Sequence, residues 1–250
     1  MKKTFVLILL SLCAWLNAQA FMDGEKLTFK VKYGIVSAAE ATLDAQTSVY
    51  QGTPVWHLST NARTYSFFDK FFKVRDRVES WWSKADMLPF KFTKNLEEGR
   101  YRQHRVHIYN QKEGKTTYQK WSFRSNHFEN KVMDMPQNSQ DILSAFYYVR
   151  HQKLVPGQSV FVNITADGRN MFTEVAVHRK ETVDSIFGKV ECLVIEPKLA
   201  GEAVFKQTGR ILIWLTNDSY KIPVKLESKV SFGSFTATLI SAQNVPLKLK

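Results

Sequence analysis

Apolar and polar residues alternate along most of this chain. From Glu25 to Tyr33, Leu27, Phe29, Val31 and Tyr33 fall on one face and Lys26, Thr28, Lys30 and Lys32 on the other, the two-residue period of a half-buried strand. The same pattern predicts strands near 41–50, 55–63, 74–82, 90–96, 101–109 and 116–123. Six more are predicted near 160–166, 173–179, 190–196, 211–215, 224–231 and 235–241. Turn-forming pairs separate many of them, among them Gln51-Gly52, Glu98-Gly99, Glu113-Gly114 and Asp167-Gly168. The last is the pair that a tight hairpin favours.

One stretch changes period. Between Ser139 and Arg150, residues Ile142, Ala145, Phe146 and Val149 recur at the spacing of one helix face. Ser139 is the expected N-cap, Asp141 places negative charge in the first turn, and Arg150 places positive charge in the last. On this reading Phe146 is buried and Tyr147 lies on the less buried side. About a dozen strands at ~4.8 Å spacing make a sheet ~55 Å wide, which tends to curl or split. A curled sheet needs filling, and one short apolar helix has the right size. The expected fold is therefore all-β: a large antiparallel curled sheet, barrel or half-barrel, with the helix near 139–150 packed on its concave side. A two-sheet β-sandwich is the alternative.

The first twenty residues read as a signal peptide rather than as part of this fold. Lys2 and Lys3 precede the apolar run Phe5–Leu12, and Ala18-Gln19-Ala20 is a small-x-small cleavage site. Residues 21–250 then form a single β-rich domain beginning at Phe21, exported to the periplasm or beyond and not integral to the membrane. The 250-residue chain carries 35 Lys and Arg against 23 Asp and Glu, a net charge of +12. This favours anionic lipid or glycan surfaces, and export argues against nucleic acid. Loss of Cys13 with the leader leaves a single thiol, Cys192, in the apolar run Val190–Ile195, which is read as a small buried hydrophobe.

The segment Asp141-Ile142-Leu143-Ser144-Ala145-Phe146-Tyr147-Tyr148-Val149-Arg150 resembles the signature of domain-of-unknown-function family 3108, a group of exported bacterial proteins. The resemblance takes in Gly24-Glu25-Lys26-Leu27, Tyr33-Gly34, Val155-Pro156-Gly157, Trp214-Leu215-Thr216-Asn217-Asp218, Ile222-Pro223-Val224 and Gly233-Ser234. Ala38-Ala39-Glu40-Ala41 departs from the Ala-Gly turn usual at that place. The family implies a mostly β fold in the cell envelope and supplies no activity or catalytic residue.

Motifs for catalysis, metal or cofactor binding are lacking in the sequence. It contains no G-x-S-x-G, G-x-x-x-x-G-K, G-x-G-x-x-G or H-E-x-x-H. His104 and His107 are three apart in a predicted strand and leave on opposite faces. The candidate ligand-binding residues are instead aromatic and basic. Phe67, Phe68, Phe71 and Phe72 have the spacing of a short helical stripe, with Lys70 and Lys73 among them and Trp81-Trp82 following. This cluster is either a plug closing one end of the sheet or a lid or lipid-facing patch. Arg75 and Arg77 share one strand face and Arg102 lies on another, suited to an anionic headgroup, with Asp76 and Glu79 as competing local acids. A buried guanidinium would require an acid or a ligand beside it. These features together suggest a non-enzymatic envelope protein that binds a lipid-like apolar or amphiphilic ligand. The alternative is an assembly factor docking another envelope protein.

Overall fold

The computed structural model describes residues 20–198, 208–230 and 233–248; the leader expected over 1–20 lies outside them apart from Ala20, as does Ser231. The strands are β1 (Glu25–Tyr33), β2 (Val36–Tyr50), β3 (Thr53–Thr64), β4 (Arg75–Ser83), β5 (Pro89–Glu98), β6 (Tyr101–Asn110), β7 (Lys115–Ser122) and β8 (His127–Asp134). After these come β9 (Ser159–Ala166), β10 (Arg169–Ser185), β11 (Gly188–Lys198), β12 (Thr208–Thr216), β13 (Pro223–Val230) and β14 (Gly233–Gln243). Helix α1 (Ser66–Asp69) follows β3, and α2 (Ile142–His151) follows β8. All fourteen strands form one antiparallel sheet in the order β8-β7-β6-β5-β4-β3-β2-β1-β14-β13-β12-β11-β10-β9. This is the curled sheet expected from the strand count.

The two ends of that order meet. The turn between β9 and β10 reaches the inner side of β5, β6 and β7, where Asp167 ion-pairs with Lys94 and the Gly168 amide donates to His107 Nε2 at 3.2 Å. The Tyr109 hydroxyl donates to the Thr165 carbonyl at 2.6 Å. Asp167 and Gly168 both have positive φ, 52° and 77°, as a two-residue hairpin turn requires. A Cβ at position 168 would also come within 2.8 Å of the Tyr118 ring, so glycine is needed there twice over. The sheet still does not close as a barrel. β8 and β9 are both ends of the order, and the seam is bridged by Gln140, which pairs in parallel with Ile164.

Register fixes what lines the concave face. A single cross-strand row runs Glu25, Ala45, Leu58, Ser80, Phe92, His107 and Tyr118, from β1 to β7. All but Tyr118 are buried. Helix α2 lies between two apolar clusters. One gathers Val162, Ile164, Val175, Ile195, Ile213 and Leu215 around Ala145 and Val149. The other gathers Trp56, Leu58, Trp82 and Phe92 around Leu143 and Tyr147. Phe21, the residue expected to begin the exported chain, belongs to the second cluster, its ring edge-on to Trp56 and Tyr147 at 4.9 Å each.

Several expectations need correction. The helix starts at Ile142, not Ser139, because Asp141 is the N-cap: its carboxylate accepts from the Leu143 and Ser144 amides, and Ser144 Oγ accepts from the Asp141 amide. Tyr147 is fully buried and Phe146 only half-buried, the reverse of the expected order, because Tyr147 enters the cluster of Phe21, Trp56 and Trp82 while Phe146 only borders the two clusters. β8 has no counterpart in the predicted strands. Its sequence, His-Phe-Glu-Asn-Lys-Val-Met-Asp, lies at an edge with most side chains in solvent, so no apolar alternation marks it. β2 and β10, at 15 and 17 residues, run well beyond the segments that alternate. The Ala38–Ala41 departure falls within β2.

Candidate functional site

The polar members of the concave row hold the helix and the hairpin in place. Glu25 accepts a two-oxygen grip from Arg150, at 2.6 and 2.9 Å, with both side chains wholly buried. Arg150 also donates to the carbonyls of Tyr220 and Ala20. Ser80 donates to Asp141 Oδ2 at 2.6 Å. Next to it, Trp82 Nε1 donates to Gln140 Oε1 at 3.0 Å, and the Gln140 amide nitrogen donates to the Met87 carbonyl. Burial pushes the Asp141 carboxyl up to about 6 despite its hydrogen bonds, and burial lowers His107 and His151 to about 4.

With α2 held at both ends, its middle does not fill the curl. Among the described residues, apolar cavities of about 240 Å³ beside β9–β13 and about 310 Å³ beside β1–β4 and β12–β14 flank the helix. Ile142, Phe146, Ile213 and Leu226 line both, so Phe146 and Ile142 stand between them. Thr173 opens onto the smaller cavity, and its Oγ1 is buried with no hydrogen-bond partner. The stripe that suggested a helix thus also forms this wall. Register between distant strands, which creates the empty volume, leaves no mark on the local pattern.

The residues singled out as ligand-binding do not form one site. Phe67, Phe71 and Phe72 are 64%, 75% and 55% exposed and Phe68 is half-buried, so they seal nothing and the plug reading fails. The physical reason is that α1 is a single turn of four residues outside the sheet rather than a stripe facing its interior. The Phe67 ring sits 5.3 Å from Phe68 and 5.6 Å from Phe71. Trp81 lies at the far end of β4 from this cluster, between the His57 ring at 4.9 Å and the Lys91 ammonium at 4.8 Å. Its neighbour Trp82 faces inward and is fully buried.

The arginines are engaged locally. Arg75 clamps Asp69 of α1 at 2.5 and 3.0 Å and donates to the Val74 carbonyl. Arg77 pairs with Glu79 at 2.8 Å, and Arg102 donates to the carbonyls of Gly99 and Tyr101. Of the two acids expected to compete for them, Glu79 does so. Asp76 instead accepts from the Glu97 amide, and burial raises its carboxyl to about 6. The inward arginine with its required acid is Arg150, which the sequence placed only at a helix end. His104 and His107 do leave opposite faces: His104 meets Phe128, and His107 meets the buried Tyr109 and the half-buried Tyr118. No helix among the described residues is long and apolar enough to cross a membrane.

The fold has a counterpart among solved structures. A β-barrel-like protein of domain of unknown function DUF1849 from Brucella abortus superposes with a TM-score of 0.58 at 11% identity, covering 90% of this chain and 99% of that one. A putative exported protein with a YmcC-like fold from Bacteroides fragilis aligns at 12% identity over 89% of this chain and 97% of that one, with a TM-score of 0.32. No curated protein matches the chain. The sequence model of the protein family of unknown function DUF3108 matches residues 28–240, nearly the whole of the sheet, and the chain belongs to that family.

Proposed function

We propose that this protein binds an apolar or amphiphilic, lipid-like molecule between α2 and the concave face of its sheet, as a carrier or receptor in the cell envelope rather than as an enzyme. The observation that carries this reading is the pair of apolar cavities separated by Phe146. Small-molecule sites are typically ~300–1,000 Å³, apolar, with few polar groups, and a rotamer change at Phe146 would join these two spaces into that range. An exported location rests on the leader-like residues 1–20.

The test is uptake of a fluorescent fatty-acid probe, with native mass spectrometry for lipid that co-purifies. Ala145→Trp should fill the space beside Val162 and Ile213 and reduce uptake, while Phe146→Ala should join the cavities and preserve or increase it. Uptake indifferent to both changes would reject the site. A second reading, docking of another envelope protein, is favoured by β8, which among the described residues has β7 as its one strand neighbour and stands at an end of the sheet.

A further inference from the structure

Exposed apolar side chains are concentrated at one end of the sheet. That end carries the β1–β2 turn, the β3–β4 connection, the β5–β6 turn, the β7–β8 turn and the start of β14. Its exposed residues include Ile35 (94%), Val36, Phe67, Phe71, Phe72 and Phe123. The connections form a continuous rim over much of this length: Gly34 N donates to the Ser234 carbonyl, Tyr65 N to Ala38, and Gly99 N to Lys73. The Phe72 ring covers Gly99, and the Tyr33 ring packs 5.0 Å from Phe235. At the opposite end the turns at Gln51-Gly52, Gln111-Lys112-Glu113-Gly114 and Asn217-Asp218 are polar, and the apolar residues of the other two turns there, Met87, Leu88, Ile186 and Phe187, are not exposed.

Charge on the rim has one dominant sign. Lys32, Lys70, Lys73, Arg100 and Arg124 lie in or beside these turns, and none makes an ion pair among the described residues. The local acids are largely occupied: Asp69 by Arg75, Glu40 by Arg63, and Glu97 by Arg102 at 4.0 Å. Exposed phenylalanines and isoleucine interleaved with unpaired cations match the water–bilayer boundary, where rings enter the acyl edge and cations meet anionic headgroups. We propose that this rim seats the protein on an anionic lipid bilayer surface, with the sheet standing off it on the α1 end. The proposal rests on the rim alone and stands whether or not the cavities beside α2 hold a ligand.

Sedimentation of the full-length protein, processed or not, with phosphatidylcholine vesicles containing or lacking phosphatidylglycerol tests it. Binding should require phosphatidylglycerol and weaken as salt rises. Phe67→Ser/Phe71→Ser should weaken it about tenfold or more, as should Lys70→Glu/Lys73→Glu. Both pairs are exposed, so urea midpoints should hold. Phe161→Ser/Phe172→Ser, at an exposed stacked pair on β9 and β10, should leave binding intact. Tryptophan emission from the Phe71→Trp variant should shift to the blue with anionic vesicles. No binding to anionic vesicles, equal binding by the rim variants, or an unshifted emission from Phe71→Trp would overturn the proposal.

Discussion

Arg150, in the last turn of α2, grips both carboxylate oxygens of Glu25, which lies 125 residues earlier at the start of β1. The pair draws together segments far apart in the chain. Arg150 also donates to the Tyr220 carbonyl, in a loop set by Asp218, whose carboxylate accepts from the Thr216 hydroxyl and from the Tyr220 and Lys221 amides. Three segments that carry the family resemblance, around Gly24-Glu25, Asp141–Arg150 and Trp214–Asp218, therefore meet near one guanidinium. They mark how the helix is fastened inside the sheet.

Breaking that pair should be costly, because the survivor is left without its partner in a fully buried site. Glu25→Gln or Arg150→Met should each destabilise the protein by about 3–5 kcal/mol, read from urea unfolding. Glu25→Met with Arg150→Met should cost less than the sum of the single changes. Additive losses would show that the two residues do not act as a pair.

Adjacent aromatic residues on α2 should behave differently. Tyr147→Ala removes a fully buried ring and should cost about 3–5 kcal/mol; Phe146→Ala removes a half-buried one beside existing cavities and should cost about half as much. The ranking of urea midpoints checks this, and an equal or inverted ranking would mean that α2 is rotated in its seat.

The Asp141 carboxyl gives a pH dependence of definite sign. Its folded value, raised by burial to about 6, exceeds its unfolded value of 3.8. The folded state therefore holds the proton more tightly, and the stability this brings is full below pH ~4 and lost as pH rises through ~6. Asp141→Asn keeps the cap acceptor and removes the ionisation. Relative to wild type, its unfolding free energy should rise by about 2 kcal/mol between pH 4 and pH 7. Parallel profiles across that range would place the proton elsewhere.

Cys192 is buried, and burial pushes its thiol up to about 12. The folded protein should resist alkylation by iodoacetamide near neutral pH and react once unfolded in urea. Rapid labelling without denaturant, followed by mass spectrometry, would show that the β11–β12 region opens readily.

Local pattern carried much of this fold. Alternation from Leu27 to Tyr33 and the run Ile211–Leu215 are properties of neighbouring residues, as is the helical spacing of Ile142, Ala145, Phe146 and Val149. The Asp167-Gly168 turn was legible for the same reason, since its positive φ angles are demanded by two residues alone. From the number of strands, curling followed by simple width.

Tertiary structure decided the rest. Exposed Phe67 and buried Tyr147 are both aromatic residues at helical spacing, and only the sheet around α2, absent around α1, makes one core and the other surface. Glu25 and Lys94 fall on the apolar faces of their strands, where the local pattern supplies no partner for a charge. Each becomes an inward ionic contact because the sheet curls back and brings Arg150 and Asp167 against them. The empty space beside Phe146 depends on distances between strands far apart in the chain, and no short window of sequence encodes such distances. Side-chain type and spacing set the elements; the closure of the curl set which polar groups are paired, which rings are wet, and where room for a ligand remains.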